Sequence, residues 1–328
     1  MSPEASPGEG MAVELHDDWG VRCERWRGVR SEQLDILGTP VHVLRADGPQ
    51  EGTPHLLVHG LGGASINWLE VIPSLARLGP VVAPDLPGFG LTRPPRPRGS
   101  RVGANARFLR ALLDQLGWDH AVLHGNSMGG MLGVLLGELA PDRIDRLVLA
   151  SPALPSPPTA LHRTRPQTLA RFAPFVLPGV GRLVLSQVWG RNTAEDLWNE
   201  NVAYLHADPS RVRPELSEVG LANLAFGQQQ PWRVQGMAAA AESLVGRLMA
   251  SGGLWRAVEE VSAPTLLLWG DADRLIGRPV IDEVRRRRPD WDHQVFEGTG
   301  HCPQIEVPHR YVDAVASWSP QRSAPLSA

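Results

Sequence analysis

The sequence predicts an α/β fold, a mostly parallel central sheet flanked by helices and interrupted by a helical insertion, on three observations. Short apolar runs alternate with amphipathic stretches over residues 34–150. That rhythm stops at the proline-rich run 151–158, Ser-Pro-Ala-Leu-Pro-Ser-Pro-Pro. It resumes at residue 264 with an unbroken apolar run, Pro-Thr-Leu-Leu-Leu-Trp. Strands in alternation with helices imply parallel pairing, because a parallel crossover needs a helix to carry the chain back over the sheet.

Residues 1–20 carry Pro3, Glu4, Pro7 and Glu9 but no basic start or apolar stretch of a secretory signal, so a flexible tail is expected there. Strands are expected at 41–44, 56–59 and 81–83. The stretch 102–116 reads as a helix with Val102, Ala106, Leu109, Leu112 and Leu116 on one side. A strand at 121–124, a helix at 128–140 and a strand at 144–150 complete the first part. Residues 152–261 hold helical patches, no clear strand and Trp189, Trp198, Trp232 and Trp255. After the strand at 264–269 come a helix at 280–288, a strand at 293–296 and a last helix at 308–318. The expected organisation is thus an α/β core over 21–151 and 262–320, an insertion over 152–261, and a C-terminal tail over 321–328.

Composition narrows the function. The chain is 42% hydrophobic and 20% charged with a formal net charge of −3, ordinary for a protein with a core and unsuited to holding nucleic acid. Every basic side chain apart from histidine is Arg and none is Lys, read as a coding bias. No apolar run is long enough to span a bilayer, so no membrane partner is expected. The two cysteines, Cys23 and Cys302, form neither a disulfide framework nor a metal-ligand pattern, which fits a cytoplasmic protein. No cofactor and no metal is expected. The runs Arg285-Arg286-Arg287-Arg288 and Arg93-Pro94-Pro95-Arg96-Pro97-Arg98 read as a solvated helix end and a surface connection.

Chemistry concentrates at Gly125-Asn126-Ser127-Met128-Gly129. A G-x-S-x-G run between a strand and a helix is the setting of a nucleophile elbow, with small residues flanking a sharp, strained turn. A serine hydroxyl needs a base, and the base needs an orienting acid. In such elbows the chain order is Ser, acid, His. His301, in Gly298-Thr299-Gly300-His301-Cys302-Pro303, is the late histidine in a Gly-flanked loop; His309 is the competitor, within the last helix. Asp273, just past the strand at 264–269, is the expected acid, and Asp271 a turn or cap residue. Two backbone N–H groups are expected to hold an oxyanion, Met128 after the nucleophile and Leu61 in His59-Gly60-Leu61-Gly62-Gly63. That loop does not spell G-x-G-x-x-G, which argues against a dinucleotide. Cys302 is not expected to act as a nucleophile.

With these motifs in order, together with Asp85-Leu86-Pro87-Gly88-Phe89-Gly90, the chain resembles the α/β-hydrolase superfamily over about 34–319. The resemblance implies that Asp85 shapes the floor of the site and that 152–261 is a cap supplying most substrate contacts. The elbow is also similar to that of the meta-cleavage-product hydrolases, which cut carbon–carbon bonds. Those enzymes carry Gly-Gly-Gly-Pro-Gly where this chain has the Leu61 loop, and an aromatic residue where it has Cys302. Epoxide hydrolases and haloalkane dehalogenases use an Asp nucleophile where this chain has Ser127. The expected activity is hydrolysis of an ester of a small or medium hydrophobic substrate through an acyl-enzyme. The alternatives are carbon–carbon bond hydrolysis and a small-molecule receptor retaining the triad. Oligomeric state is left open.

Overall fold

A computed structural model describes residues 15–163 and 165–319. Eight strands form one sheet in the order β1-β2-β4-β3-β5-β6-β7-β8. They are β1 (Val29–Ile36), β2 (Thr39–Ala46), β3 (His55–Val58), β4 (Val81–Pro84), β5 (Ala121–Asn126), β6 (Ile144–Ala150), β7 (Thr265–Gly270) and β8 (Asp292–Phe296). Pairing is parallel from β4 onward and antiparallel only where β2 meets β1 and β4.

The central strands are apolar on both faces, as strands covered on both sides must be. Leu147, Leu149, Leu267 and Trp269 point into one core with Leu109, Leu132 and Val284. Their neighbours Val148, Ala150, Leu266 and Leu268 point into the other with Leu75 and Tyr311. The short α1 (Ile72–Leu75), α2 (Val102–Leu116) and α3 (Met128–Leu139) precede β6, and α10 (Arg278–Arg287), α11 (Pro303–Glu306) and α12 (Pro308–Ser317) follow β7. Between β6 and β7 lie α4 (Pro166–Phe172), α5 (Val180–Arg191), α6 (Ala194–Leu205), α7 (Pro214–Gln228), α8 (Pro231–Met249) and α9 (Ser251–Glu260). Among the described residues, no single helix is long and apolar enough to cross a membrane.

Three boundaries differ from those read in the sequence. β1 was not expected, because Glu32, Gln33 and Asp35 hide its alternation; it is an antiparallel edge strand with one face in water. Residues 16–20 were expected to be tail. Instead Trp19 is buried, its Nε1 donates to Ser31 Oγ at 3.1 Å, and Ser31 N donates to the His16 carbonyl. The remaining tail residues, 1–14 and 321–328, lie outside the described residues. Finally, α9 falls within the expected insertion, yet Leu254, Trp255 and Val258 are buried in the core that contains α3. Ala240 and Leu244 of α8 reach the same core.

Three buried histidines make the fold sensitive to acid. His55 Nδ1 and His124 Nε2 are 2.9 Å apart, and His124 Nδ1 lies 2.9 Å from the Tyr311 hydroxyl. Burial pushes His55 and His59 down to about 4 and holds His124 well below its ordinary value. Between about pH 6.5 and 4 the unfolded chain then binds more protons than the folded one, so stability falls as pH falls. His55 and His59 each withdraw about 2 kcal/mol between pH 7 and pH 5. Urea unfolding should show a clearly lower midpoint at pH 5, and equal midpoints would contradict the neutral, buried state of these rings.

Candidate active site

Ser127 sits between β5 and α3 with φ 55° and ψ −115°, a left-handed conformation that costs a side-chain-bearing residue about 1–3 kcal/mol. Neighbouring bonds hold it there: Ser127 N donates to the Ala150 carbonyl, and Ala153 N to the Ser127 carbonyl. The turn is tight enough to require glycine on both sides. A Cβ on Gly125 would lie 2.4 Å from the Gly129 carbonyl oxygen, and one on Gly129 would lie 2.1 Å from that of Val58. A Cβ on Gly60 would reach Ser127 Cβ at 3.1 Å, so the loop of Gly60 and Leu61 lies directly against the elbow. The backbone N–H groups of Leu61 and Met128 have no hydrogen-bond partner among the described residues.

His301 and Asp273 meet as an oriented pair. His301 Nδ1 lies 2.9 Å from Asp273 Oδ2, with both side chains buried. The other carboxylate oxygen, Oδ1, accepts Leu275 N at 2.8 Å and Ile276 N at 3.0 Å, which fixes the rotamer. Asp271 points elsewhere, its Oδ1 accepting Gly298 N at 2.7 Å and stapling the loops after β7 and β8. His309 is exposed on α12. Ser127 Oγ and His301 Nε2 make no hydrogen bond with each other among the described residues; catalytic hydrogen bonds of this kind tighten as the reaction proceeds.

Several supporting residues were not singled out in the sequence. Asn126 Nδ2 donates to both the Ala150 and the His301 carbonyls at 3.1 Å, joining the serine turn to the histidine loop. Glu306 is buried and accepts Gly300 N at 2.7 Å, Ala207 N at 3.2 Å and Asp208 N at 3.0 Å. It thereby joins the histidine loop to the end of α6, where Leu205 O also accepts His301 N at 2.7 Å. His59 Nε2 accepts Leu86 N, which leaves Nδ1–H to donate to the Gly60 carbonyl at 2.8 Å and hold the loop before Leu61. Only the glycine that follows His59 and the short spacing from His301 to Glu306 hinted at these roles.

Asp85 accepts from His42 Nδ1, Ser65 N and Leu91 N at 2.7–2.8 Å. Burial by itself would raise its pKa, but His42 and the two N–H groups hold the carboxyl well below the usual range. Arg233 of α8 is buried above this loop and donates to the Gly90 carbonyl at 2.6 Å; burial lowers it to about 10, so it stays charged. Met237 of α8 lies over Gly62. Cys23 and Cys302 are both free thiols, and burial pushes the Cys302 thiol far up, so it is not a thiolate. Trp255 and Trp198 serve packing, the first in the core and the second against Gly220 of α7.

A family model described as alpha/beta hydrolase fold matches residues 54–308. The 2-hydroxy-6-oxo-2,4-heptadienoate hydrolase of Pseudomonas putida is 31% identical over 273 residues, covering 80% of this chain and 88% of its own. Among solved structures, a 2-hydroxy-6-oxo-6-phenylhexa-2,4-dienoate hydrolase from Rhodococcus superposes with a TM-score of 0.69 at 22% identity, covering 88% of this chain and 97% of that one. A thermophilic esterase from Thermogutta terrifontis does so with a TM-score of 0.66 at 24% identity and the same coverage.

Proposed function

The chain belongs to the α/β-hydrolase family, and from that premise we propose that it is a serine hydrolase acting on an ester of a small or medium hydrophobic substrate. The observation that carries the reading is the juxtaposition of a strained serine turn, two unpartnered backbone N–H groups beside it, and a buried His–Asp pair at 2.9 Å. Ser127 Oγ attacks the acyl carbon while His301 Nε2 takes its proton. Asp273 accepts the Nδ1–H bond and favours the imidazolium that forms. The oxyanion is held by Leu61 N–H and Met128 N–H, each worth on the order of a hundred- to thousandfold in rate. His301 then returns the proton to the leaving group, and water releases the acyl chain by the same steps in reverse order. Neither a metal nor a cofactor takes part in this route.

The Pseudomonas relative favours a second reading, in which the same serine cleaves a carbon–carbon bond of a vinylogous diketone acid. Against it stand Cys302, where the meta-cleavage-product hydrolases carry an aromatic residue, and the Leu61 loop, where they carry Gly-Gly-Gly-Pro-Gly; Cys302 Sγ instead lies 3.8 Å from Asn126 Oδ1. Assaying kcat/KM on p-nitrophenyl esters of increasing chain length and on a 2-hydroxy-6-oxo-dienoic acid separates the two. The ester reading expects esters to lead by at least about tenfold, equivalent to 1.4 kcal/mol of transition-state stabilisation. The reverse ranking selects carbon–carbon cleavage, and no burst from either substrate selects a receptor.

A further inference from the structure

We propose that the α4–α5 hairpin is a docking surface for anionic lipid membranes, with the arginine run at 93–101 as its electrostatic flank. The apolar side chains of a surface helix normally face the core. In α5, Val180, Leu183, Val184, Leu185 and Val188 are apolar, yet only Gly181 and Leu185 are buried. Leu177 and Leu183 are each 61% exposed, Leu169 is 52% exposed and Val176 46%. Side chains of this size clustered on one hairpin form the kind of patch that marks an interaction site. The hairpin bends by 119° between its two arms, Pro166–Val176 and Val180–Arg191, a shape suited to lying in an interface.

Charge identifies the occupant. Residues 146–194 contain no Asp or Glu, although the whole chain carries a net charge of −3. Arg165, Arg182 and Arg191 on the hairpin are exposed and make no ion pair among the described residues; Arg171 is satisfied by Glu200. A second acid-free stretch, 86–113, includes exposed Arg93, Arg96, Arg98 and Arg101. Both stretches are fastened to one turn of α8. Glu242 Oε1 accepts Gly179 N at 2.9 Å, and Ser243 Oγ accepts Val102 N at 2.9 Å. An apolar ridge rimmed by unpaired arginines is complementary to an anionic headgroup layer. Against a second copy of the chain it would set like charges face to face. The hairpin also touches the candidate site. Thr168 Oγ1 of α4 donates to the carbonyl of Arg274, the residue after Asp273, at 3.1 Å. The expectation that no membrane is involved rested on the lack of a spanning run, which surface docking does not need.

The test is co-sedimentation of the full chain with vesicles of phosphatidylcholine alone and with one third phosphatidylglycerol. Using the Ser127→Ala variant in parallel keeps the outcome independent of the proposed activity. Binding is expected on the anionic vesicles, at least tenfold weaker on neutral ones, and lost at 1 M salt, where the screening length is about 3 Å. Leu177→Asp with Leu183→Asp should abolish it. Arg96→Ala with Arg98→Ala should weaken it about 25-fold, about fivefold per arginine near the surface. Thermal melts unchanged from wild type confirm that these exposed sites leave the fold intact. Failure of the wild type to bind anionic vesicles overturns the proposal. So does undiminished binding by both double variants, or light scattering that shows a vesicle-inert dimer which Leu183→Asp dissolves.

Discussion

Ser127→Ala is expected to lower kcat about 10⁵- to 10⁶-fold while leaving substrate affinity and the unfolding transition nearly unchanged. The size follows from the proposed route. Without Oγ no acyl-enzyme forms, and removing one member of a nucleophile–base unit costs nearly as much as removing all of it. The stability expectation follows from the backbone. The left-handed φ of 55° is imposed by the turn and by bonds to Ala150 and Ala153, none of which involves the hydroxyl. Alanine inherits the same strain. A fluorophosphonate should label the wild type at Ser127 and leave the variant unlabelled. Activity within tenfold of wild type in the folded variant would remove serine catalysis from consideration. If labelling persists in Ser127→Ala, the reactive hydroxyl lies elsewhere.

The part of this molecule legible in the sequence is the part whose information is local. β5 and α3 are read directly because an apolar strand, a glycine-bounded serine and an apolar helix follow one another without interruption. Parallel strands buried on both faces announce themselves as unbroken apolar runs, as Leu266, Leu267 and Leu268 do in β7. β1 is lost because an edge strand with one wet face carries charged residues at the positions that would mark a core strand. The supporting bonds are lost for a different reason. Asn126 meets His301 across 175 residues, and Glu306 meets Asp208 across 98. No periodicity or turn chemistry encodes such pairings; they exist only once the fold has brought the loop after β8 against the ends of β5 and α6. Likewise α9 carries a helical pattern that does not say whether its apolar face meets the insertion or α3.

Asp273→Asn should give the second-largest loss, about 10⁴-fold in kcat, without unfolding the protein. Its two oxygens have separate duties. Oδ1 accepts Leu275 N and Ile276 N, and Oδ2 faces His301 Nδ1. In asparagine the single amide oxygen must serve the two backbone donors, because turning the NH₂ group toward them would set donor against donor. The NH₂ group then faces Nδ1, which becomes an acceptor, and the imidazole proton moves to Nε2. A ring protonated at Nε2 cannot take the proton of Ser127. The loss is therefore one of tautomer rather than position. Asp271→Asn is the matched control. Its oxygen needs only to accept Gly298 N, which an amide does as well, so activity should stay within a few fold. Both variants are measured with the best ester substrate at saturating concentration. A large loss in Asp271→Asn with Asp273→Asn near wild type would assign the orienting acid to the other carboxylate. Equal, small losses would mean that His301 works without an acid, which the buried 2.9 Å contact argues against.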